Sequence, residues 1–94
     1  MGRVEVHNVD VGQGDATFIT AIDNDRAILI LIDGGKNEAG DKVYIYWKNH
    51  FEAPIDIVVI SHWDADHYGG IEHCKDTCPE MFKERCKLYS PKQG

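Results

Sequence analysis

Ile55-Asp56-Ile57-Val58-Val59-Ile60-Ser61-His62-Trp63-Asp64-Ala65-Asp66-His67 puts a strand and a set of metal-type ligands next to each other. Its first six residues are β-branched except Asp56, which is how a strand covered on both faces reads. That strand delivers the chain to His62, Asp64, Asp66 and His67, two imidazoles and two carboxylates. Proteins of the α/β class place their sites at the carboxyl ends of strands, where this loop falls. Imidazole nitrogen and carboxylate oxygen suit zinc, iron or manganese. His62 and Asp64, two apart, can share one side of an extended segment. Asp66 and His67 are adjacent and point apart unless the loop coils, and a coiled loop closed by Gly69-Gly70 can aim two ligand pairs at two neighbouring metals. Without cations the crowded carboxylates would rise in pKa or loosen the loop. The competing reading is a solvated turn rich in Asp and His. The apolar strand before it and the glycines after it favour the ligand reading.

Upstream, Ala27 to Ile32 is uniformly apolar and predicts a strand that stops at Asp33-Gly34-Gly35. Between them and the quoted stretch, Val43, Tyr44, Trp47 and Phe51 fall at helical spacing, with Asp41 as N-cap and Pro54 beyond the end. Arg3 to Val9 alternates as a strand, with Val4 and Val6 on one face and Glu5, His7 and Val9 on the other. Asp10-Val-Gly-Gln-Gly-Asp15 is turn chemistry, Ala16 to Ile22 a second strand, and Asp23-Asn-Asp-Arg26 a hairpin connection. Downstream, Ile71 to Thr77 and Pro79 to Leu88 read as two helices, the latter with proline near its first turn. The expectation is an α/β chain with a mixed sheet of about four strands, helices on one face, and a helical tail over 71–89.

The chain has 94 residues, 43% of them hydrophobic, which fits one domain spanning 1–94. A formal charge of −6 argues against a basic surface that grips phosphates without bound cations. Cys74, Cys78 and Cys86 are an odd number, a poor disulfide framework, so a reducing, cytoplasmic setting is expected. With His73 they could form a separate zinc knot. Structural zinc sites use tighter Cys pairs, however, and buried or free thiols are the favoured reading. Residues 1–6 carry no apolar signal segment, and no run of about 18 apolar residues exists to span a membrane.

Three blocks in order, Asp10-Val-Gly-Gln-Gly-Asp15, Leu31-Ile-Asp-Gly-Gly35 and Ser61-His-Trp-Asp-Ala-Asp-His67 with Gly69-Gly70, resemble metallo-β-lactamase-fold hydrolases. The first block resembles the branch related to the metallo-β-lactamase domain of DNA-uptake competence proteins. The resemblance implies one half, the N-terminal one, of an αββα sandwich whose metal site lies at an edge between two sheets and activates a water. It assigns His62 and Asp64 to a first metal, and Asp66 and His67 to a second, with Asp66 also orienting or deprotonating the attacking water. Aspartate at 64 replaces the commoner histidine and makes the first metal site richer in oxygen. Asp33 matches a family aspartate that braces the ligand loop from behind, although it reads equally as a turn former before Gly34-Gly35. Asp15 and Gln13 would lie near the same edge; by spacing alone the 10–15 block is a plain loop.

Family proteins are about twice this length, and their later half brings further histidine and aspartate ligands. After Gly70 only His73 and Asp76 are of those types, too close to the motif to replace them. A catalytic zinc takes three protein ligands and an open water position. The expectation is therefore a metal-dependent hydrolase, incomplete and inactive as the chain stands, using one or two zinc ions, or manganese or iron. Its implied substrate is a phosphodiester such as nucleic acid, or another ester or amide. The alternative is a non-catalytic remnant or interaction module that keeps the metal-binding half. The apolar runs 28–32 and 55–60 also imply a partner surface, a missing second half or a second copy.

Overall fold

The computed structural model describes residues 2–91 apart from Gln13, Glu52, Trp63 and Asp64, and gives the backbone alone at Asn37, Ala65, Asp66 and His67. Three runs of strand-forming residues pair as an antiparallel meander, β1 (Gly2–Asn8), β2 (Thr17–Asp23) and β3 (Arg26–Ile32). Asn24 and Asp25 turn β2 into β3. Asn24 takes φ 54°, a left-handed conformation that asparagine tolerates better than most side chains. The turn fixes the register, with Asp23 opposite Arg26 and Thr17 opposite Ile32.

From β3 the chain crosses through α1 (Gly40–His50) and returns as β4 (Ile55–Val59), parallel to β3. A second crossover, through α2 (Ala65–Thr77) and a 3-10 turn at Pro79–Met81, leads to β5 (Phe82–Tyr89), parallel to β4. The described strands form one mixed sheet in chain order, β1 and β5 at its edges.

The structure is the expected α/β chain with a mixed sheet and helices on one face, and three expectations need correction. The segment 79–88 is not a helix but supplies a fifth strand. Pro79 opens only a single 3-10 turn. Beyond it the chain runs as a strand beside β4, its register shifting between Phe82 and Lys87 and then pairing regularly from Lys87 to Tyr89 opposite Ile57 to Val59. The ligand stretch is not a coiled loop closed by Gly69-Gly70: the backbone becomes helical at Ala65, so Asp66, His67 and both glycines lie within α2. Finally, the residue at the N-cap of α1 is Ala39, with no side-chain capping bond. Asp41 lies inside the first turn, where its carboxylate meets His73 Nε2 at 2.9 Å.

Gly70 is needed for packing rather than for a turn. Its N–H donates to the Gly35 carbonyl at 2.9 Å, and a Cβ there would run into the Gly34 carbonyl oxygen. Helix α2 thus lies directly against the backbone that follows β3.

Val43 and Trp47 of α1 and Ile71 and Cys74 of α2 join Phe18, Leu29, Leu31 and Val58 of the sheet in one buried cluster. Phe18 stacks on Tyr46 with ring centres 6.0 Å apart and packs on Phe51 at 5.0 Å. At the far end of β4, the Asp56 carboxylate accepts the Leu29 N–H at 2.8 Å and pairs with Lys83. Burial acts to raise the Asp56 pKa, but these partners outweigh it and hold the carboxyl below its ordinary range.

The strand residues that alternate with the buried ones form the opposite face: Val4, Val6, Ile19, Ile28, Ile30 and Ile57 among them. Val4, Val6 and Ile28 are 66%, 61% and 44% exposed, and no described element covers this face. Among the described residues, no helix is long and apolar enough to cross a membrane.

Candidate metal centre

The carboxyl ends of β1, β3 and β4 lie at one end of the sheet, and short backbone bonds lock the loops that leave them. Val9 N–H donates to Ala16 O at 2.9 Å, Gly35 N–H to Asp15 O at 2.8 Å, and Asp33 N–H to Val59 O at 2.8 Å. The 10–15 loop is tightened by Gly12 N–H donating to the Asp10 carboxylate at 3.1 Å. Asp15 is therefore beside the β3 terminus through its backbone, with an exposed side chain.

Asp33 is the buried charge of this end, 3% exposed and at φ 60°. One carboxylate oxygen accepts Ser61 N–H at 2.8 Å, and the other accepts the Ser61 hydroxyl at 2.5 Å. The same hydroxyl oxygen lies 3.0 Å from His62 Nδ1. A serine has one hydroxyl proton, and here it is directed to Asp33. With that proton directed to Asp33, the serine oxygen is placed to accept from His62 Nδ1, the arrangement in which a neutral imidazole keeps its lone pair on Nε2. An imidazole with Nδ1 held by a hydrogen bond and Nε2 unprotonated is the state that binds a divalent metal. The exposed position of His62 lets such an ion approach from solvent.

Sequence reasoning gave Ser61 no role, although a hydroxyl between a strand end and a histidine is the signal that could have found it. Of the other proposed ligands, Asp64 lies outside the described residues. Asp66 and His67 have their backbone in the first turn of α2, while their side chains lie outside the description. Among the described residues no three His, Cys, Asp or Glu side chains are grouped to hold an ion. His62, held at Nδ1 by Ser61, is the one proposed ligand whose side chain is described, and its expected companions are the three residues just named.

The thiols are a separate matter. Cys74 is fully buried, donates to Gly40 O at 3.3 Å, and has its pKa pushed up to about 12 by burial, with the neighbouring Cys78 and Asp41 adding to it. Burial also pushes the Cys86 thiol up, against the pull of Lys75. All three cysteines are free. A cavity of about 450 Å³ lined by His7, Thr20, Leu29, Phe51, Pro54 and Lys83 opens at the amino ends of β3 and β4, away from His62.

Residues 9–80 match the family model described as the metallo-beta-lactamase superfamily. No curated protein and no solved structure matches the chain. The match runs from the Asp10–Asp15 loop, through the Asp33 brace and the Ser61-His62 segment it holds, into the 3-10 turn after α2, about three quarters of the sequence. On that extent the chain belongs to the metallo-beta-lactamase superfamily.

Proposed function

We propose that this chain is the metal-binding half of a metal-dependent hydrolase acting on a phosphodiester. The observation that supports the reading is the Asp33–Ser61–His62 chain of hydrogen bonds, which holds the His62 ring at Nδ1 and so favours Nε2 as the ligand atom. Family membership supports it, since members of the superfamily generally bind divalent metals. His62 and Asp64 are the ligands of one cation, Asp66 and His67 of a second, with zinc or manganese favoured by the mixed nitrogen and oxygen set. Such a cation supplies Lewis acidity, acidifying water and stabilising charge on a reacting oxygen. Asp66 orients the attacking water or takes its proton, and Asp33 fixes the geometry from behind. The preference for a phosphodiester rests on the resemblance of residues 10–15 to the competence-protein branch.

The test is calorimetric titration of the 94-residue chain with Zn²⁺ and Mn²⁺, beside His62→Ala/His67→Ala. Binding by the wild type, lost in the double variant, is the expected result; equal affinity in both would overturn the ligand assignment. A second reading, a non-catalytic interaction module that keeps the metal-binding half, is favoured by the open apolar sheet face. Assay of the metal-loaded chain on a chromogenic phosphodiester separates the two. Little or no turnover is expected from residues 1–94 alone, because a catalytic zinc takes three protein ligands. Turnover abolished by chelator and by His67→Ala would show that another copy or the substrate completes the site.

A further inference from the structure

The two edges of the sheet differ in how they are protected. β5 pairs with β4 through a shifted register and carries Lys83, Arg85 and Lys87, and both features discourage another strand from adding to it. β1 has neither defence. All 7 of its residues pair with β2 in unbroken register, and it contains no proline or lysine. The register also shows which of its backbone groups face outward. Val9 N–H donates to Ala16 O at 2.9 Å and continues the β1–β2 pairing, so Arg3, Glu5 and His7 point their N–H and C=O groups at β2. Gly2, Val4, Val6 and Asn8 therefore turn theirs to the open edge. Arg3 and Glu5 project from the same side as His7, the helix side, where His7 meets Tyr46; Val4 and Val6 project from the bare side.

We propose that β1 pairs with β1 of a second copy, antiparallel about a twofold axis that passes between the two copies of Val4, so that the two sheets join into one. An edge that offers N–H and C=O groups at every second residue is completed by an identical strand running the other way. Charge selects the register. With Val4 opposite Val4 of the second copy, Arg3 stands opposite Glu5 of the second copy, and the symmetry repeats the pair. Within one chain Arg3 Nε already lies 3.2 Å from the Glu5 carboxylate. The join therefore makes a checkerboard of alternating charges, each cation with one anion beside it along the strand and another across the axis. These are non-hydrogen-bonded positions, where facing side chains come closest. Sliding the second strand by two residues either way sets Arg3 against Arg3 or Glu5 against Glu5, like charges that oppose pairing. Val4, 66% exposed in one copy, gains an apolar neighbour in its counterpart. The interface uses the edge of the sheet and none of the bare face, and it is independent of the metal reading.

The test is sedimentation velocity of the full chain over a concentration series, beside charge variants checked for folding by circular dichroism. Arg3→Glu and Glu5→Arg each set like charges across both halves of the join, and each should weaken self-association about tenfold or more. Arg3→Glu/Glu5→Arg restores opposite charges and should associate nearly as the wild type does. An equimolar mixture of the two single variants should form a mixed dimer, because each charge then meets its opposite. Val4→Pro removes an outward N–H while sparing the ladder to β2, so it should abolish the pairing in a folded chain, and it carries the comparison if a charge variant misfolds. A wild type that stays monomeric overturns the proposal. So does association that these variants leave unchanged, which is the behaviour of copies packed through the bare face. Loss in Glu5→Arg without loss in Arg3→Glu would set Glu5 against His7 instead and refute this register.

Discussion

At Asp33 the backbone and the side chain make separable contributions. Its φ of 60° is a left-handed conformation that costs a residue with a Cβ about 1 kcal/mol or more, while its carboxylate bonds both the N–H and the hydroxyl of Ser61. Asp33→Gly relieves the backbone and removes the acceptor; Asp33→Ala removes the acceptor and keeps the strain. Chemical denaturation should therefore find Asp33→Gly the more stable of the two, by about 1 kcal/mol. Zinc titration should find both weaker than wild type by about 10- to 100-fold, the usual effect of losing a partner that orients a metal ligand. If the glycine variant binds zinc as well as wild type does, Asp33 is only a turn former. Cys74 supplies the pH dependence. Its folded pKa of about 12 lies above the ordinary 9.0, so the folded state keeps a proton that the unfolded chain releases. Its contribution to stability is complete below about pH 9 and is lost as pH rises towards 12, by up to a few kcal/mol at about 1.4 kcal/mol per unit. Urea midpoints should fall over that range in the wild type and more shallowly in Cys74→Ala.

Among the elements, those with strong local patterns were legible and those set by tertiary contact were not. Strands β1 to β4 and helix α1 follow from alternation, apolar runs and helical spacing, within a residue or two at their ends. The His62 segment could be placed at a strand end because Ile55 to Ile60 is so uniformly β-branched. Ser61 escaped notice because its role depends on Asp33, far away in sequence, and the helical start at Ala65 because Gly69-Gly70 looks like a terminator. Those glycines are tolerated in a helix because Gly70 must touch Gly34. β5 was hidden because Pro79 mimics a helix start, and because nothing local shows that β4 has an open edge to fill. The packing explanation of Gly70 is testable. Gly70→Ala puts a methyl group against the Gly34 carbonyl and should cost about 3 kcal/mol or more, whereas helix propensity alone would favour alanine. A gain in thermal stability for that variant would show that α2 does not sit so close.

The whole molecule has one dry face and one bare one. Both α-helices cover the side of the sheet that carries Phe18, Leu31 and Val58, and the side that carries Val4, Val6 and Ile28 meets solvent. A contiguous apolar patch of that kind drives association. The isolated chain should therefore dimerise or aggregate in light scattering and bind a hydrophobic dye, and Val6→Lys/Ile28→Lys should reduce both. A monodisperse wild-type monomer that binds no dye would contradict this. The central claim, that the fold prepares His62 to take a metal, is tested most directly by long-range nitrogen–proton NMR of the His62 ring before and after addition of Zn²⁺. The account predicts a ring protonated at Nδ1 in the metal-free chain at neutral pH, and a zinc-induced shift centred on Nε2 that Ser61→Ala weakens. A ring protonated at Nε2, or one that zinc leaves unmoved, would contradict it.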